Sequence, residues 1–433
     1  MILVQNKPNV LFWLTGVYNC DNIDKEYRII NRNKEVKSFM TNRERENATL
    51  SFQKPDIRGS VQETFLPWPL TIERFRKEGL PDSIADGASD TVRDPNIPVL
   101  DTERYLNVAW GEGVMKFETY MGFDAVRRIR FKLPFRVFDE KVLEETDEYT
   151  IFIDKVGRQK KKHKNSGLVE DYREVVICAE DWERLKEYSE KLLEKYYTDE
   201  NIVRAYGPLR EGQERGDYSV RMNIEGFFWT PRELLGIEPH LYAFYDCPEL
   251  IHDINEYILN IYLEKLTKVL EVLPVDVAYF NEDLSGKTGP MISPDIFDEF
   301  VGSYYKRLIP VLKSKGIRHM LVDTDGDFKK LIPNFIKAGV EGFVPMDVNA
   351  GMDIVAIREE FPRLKFIGAF NKLCIAEGKQ SIDKEFERIM PVIRQGGYIP
   401  CTDHQVAPST SLDDYRYYIM KLKEAMEQCG ADL

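Results

Sequence analysis

The sequence predicts an α/β protein folded as a (β/α)8 TIM barrel, with an N-terminal extension and a β-rich insertion. Three observations predict it. Strand-like and helix-like segments alternate in six successive units from residue 219 to the C-terminus. The connections between them are short, as parallel strands joined by helical crossovers require. No G-x-G-x-x-G follows an early strand, which disfavours an open dinucleotide-binding sheet and leaves the closed barrel.

Taken in order, residues 1–40 form the N-terminal extension, irregular and polar after an apolar run at 10–17. That run is too short to span a membrane, which needs about 20 apolar residues, and reads as a buried strand or docking segment. The remainder, 41–433, is read as one barrel domain. "TNRERENATL" (41–50) opens a helix, with Glu44 three residues after Thr41 as in a capping box. "SVQETFLPW" (60–68) has β character, and Pro- and Gly-rich turns fill 79–98. "NVAWGEGVMKFETYMG" (107–122) has helical spacing and stops at a glycine. Residues 123–178 hold β-rich segments with charged turns, expected as an antiparallel excursion outside the barrel. The basic run at 160–164 within it reads as an exposed hairpin turn, or as a patch for an acidic partner. An amphipathic helix follows at 180–197. Then come the repeating strands "YSVRMNIEG", "VDVAYFNED", "IRHMLVDTDG", "VEGFVPMDV", "LKFIGAFN" and "YIPCTDHQ", each followed by a helix.

The chain has 433 residues, 43% hydrophobic and 31% charged, and ample material for a core. A net charge of −13 excludes a nucleic-acid partner, whose phosphates it would repel. Six scattered cysteines without a C-x-x-C pair read as reduced thiols in a cytoplasm.

In a TIM barrel the chemistry sits at the C-terminal ends of the strands. Those ends carry Glu225; Asn281, Glu282 and Asp283; Asp323, Asp325 and Asp327; Asp347; Asn371; and Asp403 with His404. Convergent carboxylates raise one another's pKa or bind a cation. A histidine among them can be an acid, a metal ligand or an anion binder. The candidate catalytic residues are therefore His404, Asp325, Asp323 and Glu282. Glu225, Asn281, Asp347, Asn371 and Asp403 are candidate substrate contacts. Phe227, Phe228 and Trp229 stand in a row after the first of these strands and are expected to wall a pocket. Asp327 reads as a helix cap, His319 as a core histidine, His163 as surface and Cys401 as a small buried hydrophobe.

Four stretches together resemble the uroporphyrinogen decarboxylase superfamily, including its corrinoid-dependent methyltransferase branch. They are "NRERENATLSFQKPD" (42–56), "GPMISPDIFDEFVGSYYKRLI" (289–309), "VDTDGDFKKLIPNFIKAGVEGFVPMDVNAGMDI" (322–354) and "GGYIPCTDHQVAPSTSLDDYRYY" (396–418). The resemblance implies the barrel already expected. It departs from the true decarboxylases, whose "RQAGR" segment is replaced by "FLPWPLTIERF" near Phe65. It departs also from the thiol-methylating members: Asp323, Asp325 and His404 stand at their zinc positions, with no thiolate. Such a set could hold a divalent ion, though zinc prefers Cys and His. What the resemblance then implies is transfer of a methyl group from a small methylated substrate, such as a methoxylated aromatic, to the cobalt of a separate corrinoid protein. The chain lacks the D-x-H-x-x-G signature of a corrinoid domain, so that cobalamin must arrive on a partner. A lyase acting on a small carboxylate is the alternative, favoured by any cationic clamp. No nucleic acid or membrane is expected as partner, and a homodimer stays open.

Overall fold

The computed structural model describes residues 39–84, 112–136, 138–154 and 157–430. The chain divides into two compact units, Met1–Phe39 and Met40–Leu433. The expected extension at 1–38, with its apolar run, lies outside the described residues, as do the turns at 85–98 and the start of the helix expected at 107–122.

Seven parallel strands form the central sheet. They are β1 (Val126–Phe131), β6 (Ser219–Glu225), β7 (Val277–Asn281), β10 (His319–Asp323), β11 (Gly342–Val344), β12 (Lys365–Phe370) and β13 (Tyr398–Thr402). Their spatial order follows the chain, β1-β6-β7-β10-β11-β12-β13. Between them stand the short strands β2 (Lys141–Glu145), β3 (Tyr149–Ile153), β4 (Gln159–His163), β5 (Val169–Arg173), β8 (Ser285–Gly286) and β9 (Gly289–Pro290).

Side chains alternate along each barrel strand. Met222, Ile224, Phe280, Met320, Val322 and Phe343 point outward into the layer shared with the helices. Val277, Leu321, Val344, Ile367, Ile399 and Cys401 point inward and pack on one another. Leu50 joins this inner cluster from the helix Asn42–Leu50, which lies across the N-terminal ends of the strands. That helix begins as its sequence demands: Thr41 and Glu44 form the capping box. Its polar side chains reach into the barrel. Glu46 pairs with Arg221 of β6, both buried, and Arg221 also meets Gln62. Asn47 and Arg43 bond Asp276 at 3.1 and 2.8 Å, just before β7.

Two expectations need correction. The sheet has seven strands, and among the described residues no ladder joins β13 to β1. The extended segment 60–64 runs in that gap and is tied by side chains instead. Its Glu63 accepts from the Thr402 amide and hydroxyl at 3.1 and 2.9 Å. Val61 exchanges bonds with Asp124, just before β1. Arg128 of β1 donates to the Glu63 carbonyl. The second correction concerns 123–178. Its first strand, β1, belongs to the barrel and pairs with β6 from Val126↔Ser219 to Phe131↔Ile224. Only β2–β5 form the separate antiparallel sheet, which contains Ile151 and Ile153. The basic run is strand β4 with the residue after it, not a turn. Three of its side chains meet acidic partners within the sheet and its turns (Lys160 with Asp171, His163 with Glu170, Lys164 with Glu145), and Lys161 lies over the Tyr149 ring.

The Arg221–Glu46 pair generates a stability prediction. Removing one partner of a buried ion pair leaves the other charge unmatched, at a cost of about 3–5 kcal/mol. Arg221→Ala is expected to lower the urea midpoint accordingly, and an unchanged midpoint would show that the pair is not closed in solution.

Candidate active site

The C-terminal ends of β6, β7, β10, β11, β12 and β13 bring most of the expected residues to one rim. Asp403 directly follows β13 and is fully buried. Its Oδ2 accepts from the Val348 amide and from Asn349 Nδ2, at 3.1 and 3.3 Å. Its Oδ1 accepts from the Lys372 amide at 3.0 Å, with Lys372 Nζ at 3.7 Å. Asp403 thus ties the loops after β11 and β12 to β13, and burial raises its pKa. Asp347 caps the turn Val348–Ala350, accepting from the amides of Asn349 and Ala350. Asn371 Oδ1 accepts from Asn349 Nδ2 at 3.2 Å and from the Leu373 amide. Asp327 accepts from the Lys329 amide two residues on, but it is not the helix cap expected of it, since Phe328 holds that position before the short helix Lys329–Leu331.

The acids that face the opening crowd one another. Asp323 ends β10 and is held well above the usual carboxylate range by burial, then by the charges of Asp283 and Asp325. Asp325 is pushed up to about 6 by burial and by Asp283 and Asp347, with Lys372 opposing. Its amide donates to Asp283 Oδ1 at 3.3 Å. His404 is half-buried. Burial and Lys372 lower its pKa, with Asp347 and Asp283 opposing. Its imidazole is therefore neutral at pH 7. Asp325 and His404 feel the same three neighbours, Asp283, Asp347 and Lys372, so both face one mouth.

Three expected residues lie elsewhere. Glu282 is fully buried and points away from the lumen, opposite in parity to Asn281. It accepts from the amides of Phe227, Phe228 and Trp229 at 3.0, 2.9 and 2.9 Å, and from the Tyr305 hydroxyl. Burial pushes its pKa up to about 7 against those bonds. Gly226 makes room for it: a Cβ there would lie 2.1 Å from the carboxylate carbon. This clamp draws the loop after β6 outward. Phe227 then packs on Tyr304 and Tyr305, and Phe228 on His240 and Phe244, all in the layer between barrel and helices. Neither lines the mouth, because an outward carboxylate holds their backbone. Trp229 is half-buried under the Arg232 guanidinium, 4.3 Å away. Glu225 stands at the lumen-facing end of β6, and its carbonyl takes the Tyr262 hydroxyl at 2.6 Å.

The aromatic surface at the mouth comes from another segment. Phe65 stacks on His404 with centroids 4.8 Å apart, and Trp68 lies at 6.5 Å. Lys372 and Asn349 were also missed. Lys372 directly follows Asn371 at a strand end, which was the available signal. As for a metal, no three His, Cys, Asp or Glu side chains among the described residues converge to hold one. The set Asp323, Asp325 and His404 offers no thiolate, and the residues do not fit zinc.

Asp325 allows a linkage prediction. Its folded pKa lies above the unfolded 3.8, so its contribution to stability is fully present below that value and is lost as pH rises to about 6. Asp325→Asn is expected to raise stability by on the order of 1 kcal/mol at pH 7, after allowance for its partial exposure. It should give no gain near pH 4. Melting curves at the two pH values check this, and equal shifts at both would contradict the crowding.

Residues 209–425, half of the chain, match the family model described as uroporphyrinogen decarboxylase (URO-D). Comparison with curated proteins gives no match. Among solved structures, a methyltransferase from Methanosarcina mazei is similar at 13% identity, with 89% of this chain and 98% of that chain covered and a TM-score of 0.49. A putative vitamin-B12 independent methionine synthase from Listeria monocytogenes is similar at 12% identity, with 86% and 97% covered and a TM-score of 0.35. No helix among the described residues is long and apolar enough to cross a membrane. With half its length matched and a parallel α/β sheet of the expected order, the chain belongs to the uroporphyrinogen decarboxylase family.

Proposed function

We propose that the protein is a methyltransferase that takes the methyl group of a small methoxylated aromatic and passes it to a separate corrinoid protein. The observation that carries this reading is the acid pair at the mouth: Asp323 at the end of β10, buried and held well above the usual carboxylate range, with Asp325 two residues on. Cleaving an aryl methyl ether breaks the bond between methyl carbon and oxygen and leaves that electron pair on oxygen. A carboxylic acid placed there supplies the proton that makes the leaving group a phenol. The partner's corrinoid supplies the cobalt nucleophile that accepts the methyl group.

Asp323 is the proton donor in this scheme and is reprotonated from water after each turnover. Burial, then the charges of Asp283 and Asp325, raise the Asp323 pKa and so favour its acid form. His404, neutral, serves as a hydrogen-bonding group beside the leaving oxygen rather than as the acid. Phe65 and Trp68 flank it and offer an aromatic substrate a face to stack on. Asp403, Asn349 and Asn371 hold the loops that carry these groups.

The test mixes enzyme, reduced corrinoid protein and a panel of methoxylated aromatics, and follows loss of the Co(I) spectrum. Asp323→Asn is expected to slow transfer by roughly 10²–10⁴. Asp325→Asn should move the high-pH fall of the rate to lower pH, because it removes a charge that raises the Asp323 pKa. His404→Ala should slow transfer with the fold intact. If no substrate in the panel is demethylated while CO₂ is released from a carboxylated one, the lyase reading replaces this one. If transfer occurs and Asp323→Asn keeps full rate, the acid is another group.

A further inference from the structure

The rim is not uniformly acidic. β1, β6 and β7 present a second set of side chains to the lumen, in register with one another. Arg130 lies opposite Asn223, and Asn223 opposite Tyr279, with Asn281 one step further along β7. Their strand neighbours fix the direction they take. Ile129, Phe131, Met222, Ile224 and Phe280 all belong to the outer core, so the alternate positions face inward. Arg130 is exposed there, although it sits mid-barrel between buried neighbours. Its guanidinium makes no hydrogen bond or ion pair with any described residue, and the carboxamides of Asn223 and Asn281 likewise have no such partner. Its charge nevertheless acts on Asp323 and on Tyr279. Asn281 lies directly opposite Asp323 in the β7–β10 ladder, whereas Arg130 and Asn223, paired on β1 and β6, stand further round the lumen from the acids of β10, β11 and β13.

A guanidinium left without a partner beside a carboxamide is suited to a planar anion, which it can hold through two parallel bonds. We infer that Arg130, with Asn223, is the anion-recognition part of the mouth, and that the substrate bears a carboxylate on the side away from the methyl group it loses. The inference rests on the reading of this mouth as the substrate site and adds the class of substrate, a methoxybenzoate-like acid. Three inter-strand steps separate β1 from β10, about 14 Å along the sheet at roughly 4.8 Å per step. The two side chains use part of that span, and a benzoate-sized ring fits the remainder. The ionised Asp325 repels the carboxylate from the acid half, so only one orientation brings the ether oxygen to Asp323.

The experiment titrates the full chain by calorimetry with ortho-, meta- and para-methoxybenzoate and with methoxybenzene. At least one methoxybenzoate is expected to bind roughly 10- to 100-fold more tightly than methoxybenzene, the range of a charge-assisted pair. Arg130→Gln should abolish that difference, Arg130→Lys should restore part of it, and neither should change the melting temperature, since Arg130 holds no other residue. Equal binding of acid and neutral ether, an equal loss of both in Arg130→Gln, or no binding of either overturns the inference. Methyl transfer is scored separately. Arg130-dependent binding of the acid without transfer to the corrinoid leaves the anion site standing and removes the methyltransferase reading. Transfer from a methoxybenzoate at full rate, with its binding unchanged, in Arg130→Gln does the reverse.

Discussion

Everything at the mouth depends on the seam between β13 and β1, where the sheet does not close by a ladder. Parallel strands left unpaired on an inner edge would expose backbone groups to an apolar interior. The segment 60–64 fills that edge with a different kind of bond. Glu63 takes the Thr402 amide and hydroxyl on one side, and its carbonyl takes Arg128 on the other. Thr64 meets the Cys401 thiol at 3.0 Å, and Tyr418 reaches the Glu63 carboxyl from the last helix. Burial is the main influence on Glu63 and pushes its pKa up to about 7. A single side chain thus fixes the strand whose next two residues are Asp403 and His404. The same segment goes on to Phe65 and Trp68, so the seam and the aromatic face of the mouth are one piece of chain.

The electrostatics of the rim follow from this crowding. Burial raises the pKa of Asp283, Asp323 and Asp325; the charge of Asp283 adds to the rise at Asp323 and Asp325, and that of Asp325 to the rise at Asp323. Lys372 is set against them through Asp403, and Arg232 donates to the Asp283 carbonyl at 2.6 Å. Charges held in a partly dry space act more strongly than at an open surface. Crowded acids and the fixed donors Lys372 and Arg232 therefore meet at one opening.

Much of the barrel was legible because its signal is periodic. Six strand–helix units read correctly from 219 onward, and the strand-end rule located Asp323, Asp325, Asp347, Asn371, Asp403 and His404 together. What failed was parity. Asn281 and Glu282 are adjacent, so one faces the lumen and the other the helices, and the strand's phase was not resolved at its end. Glu282 went to the wrong side, and it took Phe227 and Phe228 with it, since its carboxylate holds their amides. Arg130 was hidden for a related reason. Its strand borders a charged antiparallel sheet, and the whole of 123–178 read as one excursion. Ties such as Asn349 to Asp403 join residues 54 positions apart and leave no local trace.

The packing of Leu50 against Val277, Leu321, Ile367 and Ile399 has a kinetic meaning. It stoppers the lower barrel, so the cavity above is a blind well rather than a channel. Whatever enters such a well must leave by the door it came through. If a second protein covers that door during the reaction, the small molecule has to be seated before the lid arrives, and the spent molecule waits until the lid departs. The order of events is then imposed by the shape of the vessel.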